Sequence, residues 1–370
     1  MTQTKVEAPF VANNNVRFKN LIINGDMSTC QREPTQPSIQ YPGYYSCDRW
    51  DLGISSLGTW TMSQSTDVPT GEGFGKSTKL DCTTADASPS ADDYFFIQQK
   101  LEGRDLQHLR KGTSSAKKVT VSFWVYATKT GTNILEFSDK DNTRHICQAY
   151  TISSSNTWEK KIITFDADTA NAFTNDNGES AAFIWWLGCG TTYTSGTLAT
   201  SWASYSGAAG NRAVGQVNHA DSTSNNFYLA GVQVEAGDQA TDFEFLPFDI
   251  QLKRCQRYFQ AFGYSGLSET DDTAGGDRLA TCMRGNSGEV HLYCPIPVPV
   301  ILRATPTISS SNVNIRQDAT DYTLSSITGI HNFGSVVSFY CSASAALNEG
   351  TAAQLRFTGA SGYLRFSAEL

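Results

Sequence analysis

Five histidines are the first candidates for catalysis or metal binding in this chain, but their spacing supports neither role. They stand far apart, without an HxH, HxxxH or HExxH pattern: His108, His145, His219, His291 and His331. The sequence also lacks a GxSxG motif, a P-loop and a GxGxxG motif between a strand and a helix. We therefore predict that the protein is not an enzyme, with no catalytic residue, no metal ligand and no cofactor.

Paired carboxylates are the groups that glycoside hydrolysis requires, at a separation of about 5–9.5 Å. Three pairs are close in sequence: Asp92 and Asp93, Asp139 and Asp141, and Asp166 and Asp168. Such pairs are expected by chance in a chain with 36 acidic residues, and solvated turn residues are the more frequent explanation. A glycan depolymerase is kept as a second alternative function.

One segment, 175–179, reads Asn-Asp-Asn-Gly-Glu and has the oxygen-rich character of a calcium loop. Its spacing departs from that of an EF-hand. A structural calcium ion is therefore left open as an alternative to a protein without metal.

Aromatic side chains are the stronger candidates for a binding site, because the apolar face of a sugar ring packs on a Trp or Tyr ring. Trp124 and Tyr126 lie on the polar side of a predicted strand, and Tyr193, Trp202 and Tyr205 lie in a long loop. These five residues are the candidate carbohydrate-binding residues. The alternative, which is the more common case, is that the rings are buried against a helix or a neighbouring subunit.

The elements that would position these residues are short strands. Segment 118–127 alternates, with Val119, Val121, Phe123 and Val125 predicted to face the core. Segment 182–187 is apolar throughout, which predicts a strand covered on both faces. A strand is also expected at Leu21–Ile23 before the turn dipeptide Asn24-Gly25, and one short helix within 101–112.

Composition supports this all-β interpretation. Only 17% of the 370 residues are charged, 11% are aromatic, and 30 are Gly. The length exceeds what one core usually contains. We predict an N-terminal arm (1–18), an antiparallel jelly-roll β-sandwich (19–247), a short connecting helix (248–260) and a second, smaller β-sandwich domain (261–370).

The charge balance argues against nucleic acid as a partner, because the net charge is −8 and there is no basic block. No apolar stretch is long enough to cross a bilayer, and the N-terminus lacks signal-peptide features. Synthesis in the cytoplasm without membrane insertion is expected. Nine cysteines without a CxxC pair predict mostly reduced, buried thiols, although an extracellular destination would let one or two pair.

Short motifs in a fixed order resemble those of tailed-bacteriophage virion proteins. They are NLIINGDM at 20–27, CDRW at 47–50, QKLEG at 99–103, VSFWV at 121–125, LAGVQVE at 229–235, then FEF at 243–245 and CQRYF at 255–259. The resemblance is to tail-fibre and related structural proteins with a jelly roll similar to carbohydrate-binding modules. It covers about residues 18–260 and supplies no catalytic residue.

The resemblance implies a non-enzymatic virion structural protein, made in the host cytoplasm, that acts as a tail fibre or fibre-like appendage in host attachment. It also implies homo-oligomers, expected as trimers, and recognition of host surface glycans. An N-terminal arm can dock on other virion proteins by adding a strand to an exposed sheet edge. The alternative function is a capsid-surface decoration protein with a glycan-binding-like jelly roll.

Overall fold

The computed structural model describes residues 18–205, 209–263, 278–284, 291–344, 347–348, 352–358 and 362–370. It is 48% strand and 6% helical, so the prediction of an all-β fold is confirmed. The predicted arm at 1–18 lies outside the described residues except for Phe18. Across the described ranges, no helix has the length and apolar character that a bilayer span requires.

The first unit contains thirteen described strands. In chain order they are β1 (Thr35–Ile39), β2 (Gly43–Tyr44), β3 (Asp51–Ser55), β4 (Thr59–Ser65), β5 (Ser77–Thr84), β6 (Tyr94–Glu102), β7 (Val119–Ala127), β8 (Gly131–Asp139), β9 (Arg144–Ile152), β10 (Glu159–Phe165), β11 (Glu179–Cys189), β12 (Ala203–Ser204) and β13 (Asn226–Ala236). Sheet A has the order β1-β4-β5-β13-β7-β10, and sheet B has the order β12-β9-β8-β11-β6-β3-β2. The strand pairs within both sheets are antiparallel, as in the predicted jelly-roll sandwich.

The main core lies between the two sheets and is rich in aromatic rings. The alternation predicted for β7 is confirmed, because its four predicted core residues are at most 3% exposed. Phe123 of sheet A contacts Trp185 of sheet B edge to face, with ring centroids 5.7 Å apart. Trp185 in turn packs against Trp50 at 5.6 Å. These contacts fix the spacing of the two layers.

The central strand of sheet B is buried on both faces, as its sequence predicts. From Ser180 to Gly188 every residue of β11 is buried. The face away from the main core is covered by the loop after β11, which contributes Ala199 and Ala213 to a second apolar cluster with Ile184 and Trp186. We call residues 190–205 and 209–220 the cover loop. It includes a short helix, α2 (Thr191–Thr194), which follows α1 (Gly103–Leu106) in the chain.

The strand predicted at Leu21–Ile23 is absent, although these residues are buried. Two backbone hydrogen bonds join this segment to β13, from Leu21 N–H to Val234 O and from Val232 N–H to Gly25 O. The Asn20 side chain adds to them, because its amide donates to Val232 O and its carbonyl accepts from the N–H groups of Ile22 and Val234. Asn24 has φ +60°, which agrees with the turn predicted there. The chain thus crosses the sandwich edge as a turn.

Both helical predictions are close to what the structure contains. Within 101–112, α1 continues into a 3₁₀ turn at Gln107–Leu109, which ends at Arg110 in the left-handed conformation, φ +53°. The connecting helix α3 spans Phe248–Gln256, and the next strand, β14, begins at Phe259. The segment predicted as helix over 248–260 is therefore divided between a helix and a strand.

The second unit has its own core and nine described strands. They are β14 (Phe259–Gly263), β15 (Arg278–Arg284), β16 (His291–Pro297), β17 (Thr307–Ser311), β18 (Val313–Gln317), β19 (Thr320–Asn332), β20 (Val336–Ala343), β21 (Ala353–Phe357) and β22 (Tyr363–Ser367). Six of them close a barrel in the order β15-β16-β20-β19-β18-β21, and β14-β22-β17 form a separate sheet. This unit is antiparallel β, in line with the predicted fold class, and pairing of β15 with both β16 and β21 leaves its barrel without a free edge.

Most described cysteines are free thiols, in line with the sequence, and one pair is joined. Cys282 on β15 and Cys294 on β16 form a disulfide within the barrel. Cys341 on β20 remains a free thiol with its Sγ 3.4 Å from Sγ of Cys294. The strand pairing of β15 with β16 brings the two bonded residues together.

The two units meet through a buried group of charges near residue 369. The Glu369 carboxylate pairs with Arg49 and with Arg32, which lies 3.1 Å from Glu369 Oε1. The Arg49 guanidinium stacks 3.5 Å from the centroid of the Tyr258 ring. Arg303 donates to the backbone carbonyls of Ala368 and Glu369. Glu369 is thus a carboxylate that the second unit supplies to Arg49 and Arg32 of the first, and Arg32 also pairs with Asp48 in its own unit.

Substitution Glu369→Gln is expected to lower the free energy of unfolding by about 3 kcal/mol, because it leaves the buried Arg49 guanidinium without its carboxylate. Denaturant titration of the full chain measures this change. Glu33→Gln is the matched control, since its ion pair with Arg365 also joins the units but Glu33 is 51% exposed in its side chain. The control should change stability by less than about 1 kcal/mol. Equal effects of the two substitutions would contradict the role assigned to Glu369.

Candidate functional site

The outer face of sheet A carries a group of aromatic side chains that face away from the core. We call Trp124, Tyr126, Trp158 and Tyr228 the aromatic patch. Tyr126 and Tyr228 are opposite each other on β7 and β13, with ring centroids 4.8 Å apart. Trp158 lies 5.7 Å from Tyr126 and 6.0 Å from Tyr228. Trp124, Tyr126 and Trp158 are partly exposed, so their rings form a surface and not a core.

Polar groups surround the aromatic patch and hold its rings in place. The Trp158 indole N–H donates to Asp67 Oδ1 at 3.0 Å, and the Tyr126 hydroxyl donates to Asn156 Oδ1 at 3.2 Å. The Lys79 ammonium lies 5.9 Å from the centroid of Tyr228. Burial, with Asp67, raises the pKa of the Tyr228 hydroxyl to about 12. The hydroxyl therefore stays protonated at neutral pH and can donate a hydrogen bond.

Trp124 lies two residues before Tyr126 on β7 and faces the same side of sheet A. Its register neighbours are Ala230 on β13 and Lys160 on β10. A small side chain on one side and a long, flexible, exposed one on the other leave the indole ring accessible. The patch thus combines flat apolar rings with donors and acceptors at its edge.

The other half of the same sheet face is covered by the loop between β4 and β5 together with the segment after β13. Phe74, Phe243 and Phe245 pack together with centroids 4.8–5.2 Å apart. Gly231, at φ +58°, lies beneath Phe74, and a Cβ there would stand 2.4 Å from the ring. This cover confines the open aromatic surface to one half of sheet A.

The structure separates the five predicted aromatic residues into two groups. Trp124 and Tyr126 lie in the aromatic patch, whereas Tyr193, Trp202 and Tyr205 belong to the cover loop on sheet B. Tyr193 packs 5.3 Å from Trp186, and the Trp202 indole N–H donates to the Asp166 carbonyl. Tyr205 stacks at 5.0 Å on the buried His145. The three loop rings are partly exposed, and each contacts another part of the same chain and so holds the loop in place.

Two residues of the patch, Trp158 and Tyr228, are not among the sequence candidates. Trp158 directly precedes β10, and Tyr228 lies within β13. Alternation alone would place Tyr228 opposite to the core residues Phe227 and Leu229. Their contact with Tyr126 depends on the order and register of β13, β7 and β10, which the sequence does not reveal.

The acidic pairs considered for glycoside hydrolysis are engaged in ion pairs and turns. Lys111 binds both Asp139, at 2.6 Å, and Asp168, at 3.1 Å, and all three are buried. Hydrogen bonds from Arg144, Ala170 and Lys111 outweigh burial and lower the pKa of Asp168. This environment stabilises carboxylates and differs from that of a general acid, which needs a raised pKa.

The remaining pairs and the calcium-like segment have local partners. Asp92 accepts from Thr192, Asp93 from the backbone of Ser90, Asp166 pairs with Lys118, and Asp141 accepts from Thr174. In the segment 175–179, Asp176 Oδ1 accepts from the Gly178 N–H, and the Asn177 carbonyl accepts from Arg303. The Arg303 guanidinium therefore already binds a carbonyl oxygen of this segment that a calcium ion could otherwise use.

Within the described part of the chain, one group of three side chains is close enough to hold a metal ion. It consists of Glu136, His145 and Cys147, all fully buried on the outer face of sheet B. Burial by itself would raise the pKa of Glu136, but Arg212 and His145 outweigh it and lower the pKa to about 2. No metal ligand is predicted from the sequence, although His145 and Cys147 are two residues apart on one strand and so share a face.

Comparison with known proteins yields no family. No family model matches this sequence, and no curated protein matches it either. Solved structures resemble part of the chain. One is the enzymatically active domain of bacteriophage CBA120 tailspike protein 4, with 13% identity and a TM-score of 0.32. The match covers 59% of this chain and 21% of that structure.

Carbohydrate-binding modules are similar over the same share of the chain. A family 61 module in complex with β-1,4-galactotriose has 10% identity and TM-score 0.29, and the match covers 59% of this chain and 98% of the module. The family 11 module of a Clostridium thermocellum cellulase has 10% identity and TM-score 0.25, covering 55% of this chain and 96% of the module. Similarities of such low identity and TM-score do not identify a ligand.

A buried histidine near the end of the cover loop makes the stability of the fold depend on pH. His219 is fully buried, its backbone N–H donates to the Leu187 carbonyl, and its Nε2 lies 2.8 Å from Asn133 Oδ1. Burial, together with Lys129, lowers its pKa from 6.5 to about 3. The folded protein therefore keeps this imidazole neutral at pH values where the unfolded chain binds a proton.

The free energy of unfolding should consequently fall as pH decreases from about 6.5 toward 3, with His219 contributing at most about 1.4 kcal/mol per pH unit. Above pH 6.5 this contribution is fully present. Denaturant titrations at several pH values should give a shallower dependence for His219→Gln than for the natural protein. The exposed His331 provides the control, and His331→Gln should keep the natural slope. A His219→Gln slope identical to that of the natural chain would contradict the argument.

Proposed function

We propose that this chain binds glycans through the aromatic patch of sheet A and that it serves in host attachment as a phage tail fibre or fibre-like appendage. The observation that carries the proposal is the patch itself. Four aromatic side chains share one half of a sheet face, and three of them are partly exposed. A solvent-facing sheet surface is ordinarily polar, so this concentration of rings needs a partner to cover it.

The chemistry of the patch fits a sugar better than an apolar ligand. Apolar C–H groups of a pyranose ring pack on an indole or phenol plane, and hydroxyls at the ring edge require donors and acceptors. Asp67, Asn156 and Lys79 stand at the edge of the rings. The rings are already restrained by hydrogen bonds, which lowers the entropy lost on binding.

The role in the virion is proposed together with this site. It includes a homotrimer, docking of the N-terminal arm on another virion protein, and attachment without catalysis. The motif order of residues 20–259 supports a virion protein with a jelly roll, and the ion-paired Asp139 and Asp168 favour binding over hydrolysis. The net charge of −8 favours a neutral or basic glycan over a polyanion.

A glycan array probed with the full chain should identify a ligand, and substitutions in the patch should weaken its binding. We expect Trp158→Ala and Trp124→Ala each to reduce the affinity by about fivefold, since one aromatic contact contributes about 1 kcal/mol. Isothermal titration calorimetry with the best array ligand measures the change.

Two control variants separate the patch from other exposed or predicted aromatics. Tyr41→Ala removes a ring that is 75% exposed outside the patch, and Tyr193→Ala removes a ring of the cover loop. Both should bind with unchanged affinity. If Tyr193→Ala abolished binding while Trp158→Ala retained it, the binding site would lie on sheet B and the proposal would be wrong.

Particles lacking the protein test the role in attachment. Negative-stain images should show altered tails, and adsorption to host cells should fall. Intact tails with full adsorption would count against a tail appendage. Densitometry of purified particles then distinguishes the alternatives, because hundreds of copies indicate capsid decoration. New reducing ends from host polysaccharide would instead reveal a depolymerase.

A further inference from the structure

The group under the cover loop has the geometry of a metal site. Glu136 on β8 is the register partner of Cys147 on β9, and His145 lies two residues before Cys147 on the same face. One carboxylate oxygen, one imidazole nitrogen and the Cys147 sulfur all lie within 4.8 Å of one another. Ligand atoms around a tetrahedral zinc ion stand about 3.3–3.8 Å apart, so side-chain shifts of about 1 Å suffice.

His145 supplies the second observation. The residue is fully buried, and neither of its ring nitrogens makes a hydrogen bond with any described residue. Nδ1 stands 3.4 Å from Glu136 Oε1 and is not aligned to donate to it. A buried imidazole whose ring nitrogens lack a hydrogen bond is costly, because the desolvation of these atoms is offset only by the 3.4 Å contact with Glu136. A metal ion between His145, Cys147 and Glu136 would remove that cost.

Other side chains around the group complete a second layer. Trp186 donates its indole N–H to Glu136 Oε2 at 2.9 Å, and Arg212 donates to both carboxylate oxygens at 3.0–3.2 Å. Tyr205 stacks on the imidazole and lies 5.2 Å from the Arg212 guanidinium. The two Glu136 oxygens already accept four hydrogen bonds, two of which are branches of the same Arg212 Nε–H. An ion that binds one oxygen would displace one of these branches and leave the other Arg212 and Trp186 bonds in place.

We propose that Glu136, His145 and Cys147 bind one divalent metal ion of the zinc class beneath the cover loop. A thiolate, an imidazole and a carboxylate are ligands that zinc accepts together, whereas calcium and magnesium prefer oxygen alone. Binding converts the Cys147 thiol to a thiolate and releases its proton to the solvent. Arg212 partly balances the negative charge of the two anionic ligands.

The ion would join β8 to β9 at the point where the cover loop meets sheet B. All three ligands belong to those two strands, and Arg212 and Tyr205 belong to the loop above them. Metal binding is therefore expected to stabilise both sheet B and the contact of the cover loop with it. This role is independent of glycan binding at the aromatic patch on the other sheet.

Cobalt provides a direct probe of the ligand set. The full-length chain, stripped with a chelator and titrated with Co²⁺, should bind one equivalent and show a thiolate-to-cobalt charge-transfer band. Cys147→Ser should eliminate the band, and His145→Gln should weaken binding by at least about tenfold. Cys189→Ser and Cys341→Ser, which alter thiols outside the group, should leave both unchanged.

X-ray absorption at the zinc edge of the unmodified protein gives a readout that does not depend on any variant folding. It should report one sulfur together with nitrogen and oxygen ligands. A wild-type chain that retains less than a tenth of an equivalent of zinc after desalting would overturn the proposal. So would a charge-transfer band that persists in folded Cys147→Ser, because the ion would then lie at another thiol.

Discussion

The constraint on which the first unit depends is that sheet B has an apolar centre on both of its faces. Every residue from Ser180 to Gly188 of β11 is buried, so one face packs on sheet A and the other needs a separate cover. A sandwich of two sheets supplies only the first contact. The cover loop supplies the second, with Ala199 and Ala213 in the outer cluster and His219 tied to Leu187 and Asn133 at its end. Leaving Ile184 and Trp186 in water would cost about 1.5–3 kcal/mol for each side chain.

This constraint decides which aromatic residues are available to a ligand. A long loop rich in small residues with three aromatic rings suggests a binding loop from its sequence, but in the fold the rings are what attaches the loop. Tyr193 packs on Trp186, Tyr205 on His145, and Trp202 on Phe137 at 5.1 Å. The half of sheet A that carries Trp124 and Tyr126 needs no loop to cover its outer face. Its rings are consequently exposed without being required to complete a core, and this difference between the two sheets motivates the location of the proposed glycan site.

Much of the architecture could be predicted because side-chain periodicity reports burial directly. The alternation in β7 and the unbroken apolar run in β11 each identify a strand and the number of its covered faces. What could not be predicted depends on contacts between distant segments. Trp158 and Tyr228 join Tyr126 only through the order β13-β7-β10, and the Cys282–Cys294 bond depends on the pairing of β15 with β16. Local hydrogen bonding of Asn20 likewise overrides the strand propensity of Leu21–Ile23.

The cover loop also explains how polar groups come to be buried on an outer sheet face. On a sheet face without a cover, Glu136 and His145 would point into solvent, and water would satisfy their hydrogen-bonding groups. Once the loop closes over them, their charge and hydrogen-bonding capacity must be satisfied inside the protein. Arg212, carried by the loop itself, neutralises Glu136, so the loop brings the counter-charge with the cover. His145 receives a ring contact from Tyr205 but no hydrogen bond from the described chain, which leaves an external ion as the partner that its chemistry favours.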